Sequence, residues 1–206
     1  MRIVLVLPLA LSLAAATPAA PRPLILAFGD SLIAGHGLDP GLGFAPQLQA
    51  TLRRQGIAAI VADGGVSGDT SAAGRARLGW TLDGLPRRPD LAIVELGAND
   101  MLRGLDPALT KANLDAILSE LDRRHIRILL SGMRAAPNLD PAYARRFEAI
   151  YPALAARHHA AIDPLFLDPI AGQRAYFQAD GMHPTFAGVK RIVLRIAAPV
   201  RAALGL

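Results

Sequence analysis

Five short apolar runs punctuate the chain, and a stretch of helical period follows each of them. They read LILAF (24–28), IAAIVA (57–62), LAIVEL (91–96), IRILL (126–130) and AAID (160–163). Short continuous apolar runs are the mark of strands buried on both faces, as in a parallel sheet with helices above and below it. The intervening periods predict helices at 43–55, from Ser71 to about Leu78, at 107–124, at 141–158 and at 184–204. The first carries Phe44, Leu48 and Leu52 on its inner side. The third carries Leu109, Leu114, Ile117, Leu118 and Leu121, and the last carries Val189, Ile192, Ile196 and Val200. Alternating strands and helices with no repeat and no linker give one doubly wound α/β domain, three layers deep, with a mainly parallel sheet of about five strands.

Nothing covalent assists this core, because the 206-residue chain has no cysteine. Residues 1–20, MRIVLVLPLALSLAAATPAA, place one arginine before an apolar run and a small-residue tail. That is the pattern of a cleaved secretory signal peptide, with the domain at 21–206. The run is short for a membrane span, which takes about 20 residues. The expected product is exported, most readily to the periplasm, and monomeric, with no stable membrane insertion. The net charge of +5 comes from arginines in scattered pairs, such as Arg53-Arg54 and Arg123-Arg124, and not from a dense basic stripe. A nucleic-acid partner is therefore not expected.

In doubly wound sheets, ligands bind at the carboxyl ends of the strands. The residues there are polar and glycine-bearing: Gly29-Asp30-Ser31 after the first run, Asp63 to Thr70 after the second, and Gly97-Ala98-Asn99-Asp100 after the third. Asp180-Gly181-Met182-His183-Pro184 comes before the last helix. Acyl transfer needs a nucleophile, a base, a group orienting the base, and donors for the developing oxyanion. Ser31 offers a hydroxyl where a strand meets a turn. His183 is the base, and Asp180, three residues earlier, can reach one imidazole nitrogen. Pro184 suits the first position of a helix and would fix His183 at its entrance. The Ser31 and Gly68 N–H groups and the Asn99 amide are candidate oxyanion donors.

The blocks GDS (29–31), SGDT (67–70), GAND (97–100) and DGMHP (180–184), in this order and spacing, resemble the SGNH, or GDSL, hydrolase family. VELGAND, the LRG at 102–104 and YARRFEAIYPALA at 143–155 are most similar to its exported bacterial thioesterase, lysophospholipase and arylesterase branch. The resemblance implies a flavodoxin-like SGNH fold and a serine esterase needing no cofactor. It implies Ser31 as nucleophile, His183 as base and then acid, and Asp180 as its orienting partner, with Ser31, Gly68 and Asn99 as the oxyanion hole. The substrate would be a small aryl or short-to-medium acyl ester, or a thioester. Alternatives within the class are an acyl-CoA thioesterase or lysophospholipase, and a sugar-polymer deacetylase. The branch often carries asparagine-alanine-serine where this chain has Asp63-Gly64-Gly65, so the second loop has its own shape.

The loops 101–108 and 132–143 are expected to frame the acyl pocket, with Leu102, Met133 and Pro184 as substrate contacts and His36 close by. Asp69, Asp100 and Glu95 are read as caps and braces. His125, His158 and His159 are read as surface or helix-end residues. Trp80, Phe44, Tyr143 and Phe177 are read as core or pocket wall. Asp180 and His183 alone are too few ligands for a metal. Without G-x-S-x-G the chain does not fit an α/β-hydrolase, and without G-x-G-x-x-G or a Walker A sequence it does not fit a nucleotide binder. An inactive binding module would have lost Ser31, Asn99 or His183, and all three are present.

Overall fold

The structure, a computed structural model, describes residues 22–206. The expected signal peptide at 1–20 lies outside the described residues. The strands are β1 (Leu24–Gly29), β2 (Ile60–Gly65), β3 (Leu91–Glu95), β4 (Arg127–Ser131) and β5 (Ala161–Asp163). They form one sheet in the order β2-β1-β3-β4-β5, and every pairing is parallel. The helices are α1 (Ser31–Ala34), α2 (Phe44–Arg54), α3 (Ser71–Asp83), α4 (Ala98–Leu102), α5 (Pro107–Arg123), α6 (Pro141–Glu148), α7 (Ile150–Arg157) and α8 (Phe186–Leu204). α2 packs with α8, and α3 and α7 pack with α5, giving the two outer layers. β1 and β3 are fully buried, as their unbroken apolar runs require. The chain leaves β1 toward β2 on one side and returns to β3 on the other. The crevice at their carboxyl ends is thus the topological switch point.

The sequence-based boundaries shift where local signals are ambiguous. β2 begins at Ile60 and not at Ile57, because the Ile57 N–H donates to Leu52 O (2.9 Å) and is used in closing α2. The ladder then runs on through Gly64 and Gly65. A Cβ at Gly65 would come within 2.3 Å of the Ala34 nitrogen, so this glycine lets α1 lie against the strand. α3 continues past Gly79 to Asp83, since Leu78 and Leu82, one turn apart, both face the core. The expected helix at 141–158 is two helices. Pro152 has no N–H to give the Glu148 carbonyl one turn back, and the break falls at Ala149, between α6 and α7.

Two side chains lie on the other side of their helices from the expected one. Leu109 is exposed, because the core stripe of α5 runs Thr110, Leu114, Ile117, Leu118 and Leu121, and Leu109 falls outside it. Trp80 is neither core nor pocket wall. It is 81% exposed, since two residues of helix rotate it to the side opposite Leu78.

Candidate active site

Strand ends, turns and one loop bring Ser31, His183 and Asp180 into a single hydrogen-bonded chain. Ser31 Oγ lies 2.9 Å from His183 Nε2, across 152 residues of sequence. His183 Nδ1 lies 2.7 Å from Asp180 Oδ2. The other Asp180 oxygen accepts the N–H groups of Met182 (2.9 Å) and His183 (3.0 Å). The hydrogen bond to His183, supported by these two N–H groups, holds the Asp180 carboxyl far below its ordinary range. The arrangement places an ionised carboxylate on one imidazole nitrogen and the serine hydroxyl on the other.

His183 is not held as Pro184 at a helix start would hold it. α8 begins at Phe186, with Thr185 as its cap through Gly188 N–H (3.2 Å). The fastening comes from an antiparallel bridge between Phe177 and Pro184, because Pro184 precedes the cap and lies in an extended segment. Gln178 reinforces it. Its N–H donates to His183 O (2.8 Å), and its amide nitrogen donates to His36 O (2.6 Å) and Pro184 O (3.0 Å). Arg174 gathers the carbonyls of Phe177, Gln178 and Ala179. The His36 ring leans on His183, with centroids 4.4 Å apart. No sequence pattern marks Gln178 or Arg174, because their partners are carbonyls that only the folded loop brings near.

Ser31 sits at the first position of α1, whose cap is Asp30: the Asp30 carboxylate accepts Leu32 N–H at 3.0 Å. Gly68, at φ +87°, shapes the turn that follows β2. Among the described residues, no protein acceptor takes the N–H of Ser31 or Gly68. The Asn99 amide reaches Asp30 Oδ2 (3.1 Å) and Asp69 O (3.0 Å), so both its hydrogens have acceptors. Asn99 is the second residue of α4, whose cap is Gly97. At φ +120° and under the Tyr151 hydroxyl, Gly97 occupies a position no side chain fits.

Buried charge underlies this turn. Burial raises the Asp30 carboxyl to about 6, against the opposing pull of Leu32, His183 and Asn99. Glu95, also fully buried, is pushed well up by burial and then by the Asp30 charge, and its Oε2 faces Asp30 N–H at 3.4 Å. Asp100 accepts Ser71 N–H (2.7 Å), Ser71 O–H (2.5 Å) and Thr110 O–H (3.2 Å), bracing α3 and α5 against α4. Asp69 pairs with Arg77 (2.5 Å), which also donates to Gly29 O (2.9 Å) and covers the Phe28 ring. Arg103, within the LRG block, donates to Gly68 O (2.8 Å). The two arginines tie the Gly68 turn to β1 and to α4. Arg77 carries no motif of its own, and its one signal in the sequence is its place on the helix that opens beside Asp69.

An apolar cleft of about 410 Å³ opens at the triad. Ser31, Asn99 and His183 stand at one end, and Leu32, Met101, Leu102, Pro137, Phe177 and Met182 form much of the wall. Leu102 is on this wall as expected, and both expected loops contribute. Met133 is buried and lines a neighbouring cavity instead. Pro184 lies outside the lining, turned into the bridge with Phe177.

The chain matches the model of the GDSL-like Lipase/Acylhydrolase family over residues 27–191. It is 37% identical over 183 residues to "Esterase TesA" of Pseudomonas aeruginosa, covering 89% of this chain and 90% of that protein. It is 35% identical to "Arylesterase" of Vibrio mimicus, over 84% of each. Among solved structures, AlinE4, described as an SGNH-hydrolase family esterase, superposes with a TM-score of 0.77 at 49% identity, over 89% of this chain and 97% of that one.

Proposed function

The chain belongs to the GDSL-like lipase/acylhydrolase family, and from that premise we propose that it hydrolyses carboxylic esters through an acyl-enzyme on Ser31. The observation that carries this reading is the chain Asp180–His183–Ser31, with both imidazole nitrogens engaged, 2.7 Å and 2.9 Å from their partners. His183 Nε2 takes the Ser31 proton as Oγ bonds to the ester carbonyl carbon. Asp180 stays ionised and offsets the imidazolium charge that forms. The carbonyl oxygen gains negative charge beside the Ser31 and Gly68 N–H groups and the Asn99 amide. Asn99 serves by sharing a hydrogen that Asp30 or Asp69 holds in the free enzyme. His183 then returns the proton to the departing alcohol, and a water repeats the cycle on the acyl-enzyme.

The apolar cleft favours aryl and short-to-medium acyl esters, and the same chemistry serves thioesters. Turnover of p-nitrophenyl acetate and butyrate is expected in the wild type and lost in Ser31→Ala, by about 10⁴-fold or more. Equal rates would end the reading. Phenyl acetate, palmitoyl-CoA and acetylated xylan, compared on the same preparation, separate the aryl esterase, thioesterase and deacetylase alternatives.

Export to the periplasm is a further part of the proposal. Its support is the basic, apolar and small-residue order of residues 1–20. Among the described residues no helix is long and apolar enough to cross a membrane. Terminal sequencing of the protein from a periplasmic fraction is expected to begin between residues 17 and 21. A chain that still starts at Met1 would remove the signal peptide from the account.

A further inference from the structure

Adjoining the active-site cleft is a second apolar pocket, of about 120 Å³ and likewise open to solvent, lined by Met133, Phe166, Leu165 and Ala171 among others. The two cavities share Ala98, Met101 and Leu167. Ala98 lies one turn before Met101 on α4 and is too small to divide anything. Met101 is nearly buried, and its sulfur accepts the Ala136 N–H at 3.2 Å. That bond pins the side chain from α4 against the 132–137 loop, which carries Ala136 and Pro137 on the cleft side and Met133 and Arg134 on the other.

We propose that Met101 is a specificity-determining residue, a thioether gate that closes the cleft from this annex and thereby limits the length of acyl chain the enzyme accepts. The inference rests on the acyl-enzyme reading of the cleft. It also gives Met133 a place, as a wall of the chamber beyond the gate and not a contact of the short-chain site. The gate discriminates softly. A methionine has three freely turning bonds and a weak acceptor, so a long chain can displace it at modest cost. Removing it would join the two spaces and let distal methylenes leave water, each worth roughly fourfold in kcat/KM.

The test is a series of p-nitrophenyl esters from acetate to laurate, read as the ratio of kcat/KM for each ester to that for butyrate. In Met101→Ala the preferred chain is expected to lengthen by about two to four carbons, and the long-to-short ratio to rise roughly tenfold or more. Met101→Val, a milder truncation, should move the profile the same way by less. Adding Ala171→Trp, which fills the annex from its solvent edge, should cancel the gain. Profiles of both Met101 variants that superpose on the wild type overturn the gate, as does a gain that survives Ala171→Trp. A wild type inert toward every ester of the series is a different failure. It overturns the acyl-enzyme reading, and the gate with it.

Discussion

Asn99 shows most clearly how the site is built residue by residue. Its amide nitrogen is held by the Asp30 carboxylate and the Asp69 carbonyl, so its direction is set before substrate arrives. Under the proposed mechanism this held amide shares one hydrogen with the developing oxyanion while its nitrogen stays in place. Asn99→Ala is therefore expected to lower kcat by about 10²- to 10³-fold while KM for butyrate changes little. A loss confined to KM would mean that Asn99 only shapes the cleft. That Ser31, His183 and Asp180 would meet in one hydrogen-bonded chain beside Asn99 was legible in the sequence, because each sits in a short block whose residue types have few other uses together. Arg77, Arg103 and Gln178 were hidden, or half hidden, since their work is to hold main-chain carbonyls. A carbonyl has no sequence signature, and the Gln178 contact to His36 spans 142 residues.

At the scale of elements, what joins one helix to the next was less readable than the helices themselves. His158 is expected as a surface or helix-end residue; it caps α7 but is not on the surface. Its side chain is nearly buried, with Nε2 2.7 Å from Asp115 and Nδ1 2.5 Å from Asp122, both on α5. Burial alone disfavours the imidazolium, but the two carboxylates outweigh it and raise the His158 pKa above its usual value. A histidine whose pKa is raised by folding stabilises the fold fully below its unfolded value, near 6.5. That contribution is lost as pH climbs through the higher folded value. Urea midpoints of wild type and His158→Gln, followed from about pH 6 to about pH 9, should converge as the pH rises. Parallel curves would show that the clamp between α5 and α7 carries no pH dependence. The break between α6 and α7 and the added α4 belong to the same scale. Pro152 was in plain view, but whether a proline kinks or ends a helix depends on what the two halves pack against.

For the molecule as a whole, the site is a product of topology. β1 has β2 on one side and β3 on the other, so the turns after β1 and β3 face each other over one crevice. Ser31 follows one of these strands and Asn99 follows the other. The Asp180–His183 loop, arriving after β5 and two single-turn helices (Asp168–Ile170 and Arg174–Tyr176), must be carried back to that crevice. The Phe177–Pro184 bridge and Gln178 do so. The sequence by itself determined the alternation of strand and helix, the parallel sheet and which polar blocks meet at the crevice. Those follow from local periodicity and from residue types that are costly to bury or place without purpose. Tertiary structure alone decided that Trp80 and Leu109 face solvent, that Met133 and Pro184 leave the cleft wall, and that Met101 lines two cavities at once. These depend on helix rotation and on the spacing between packed layers. Both are set by the summed fit of many distant side chains and not by any short stretch of the chain.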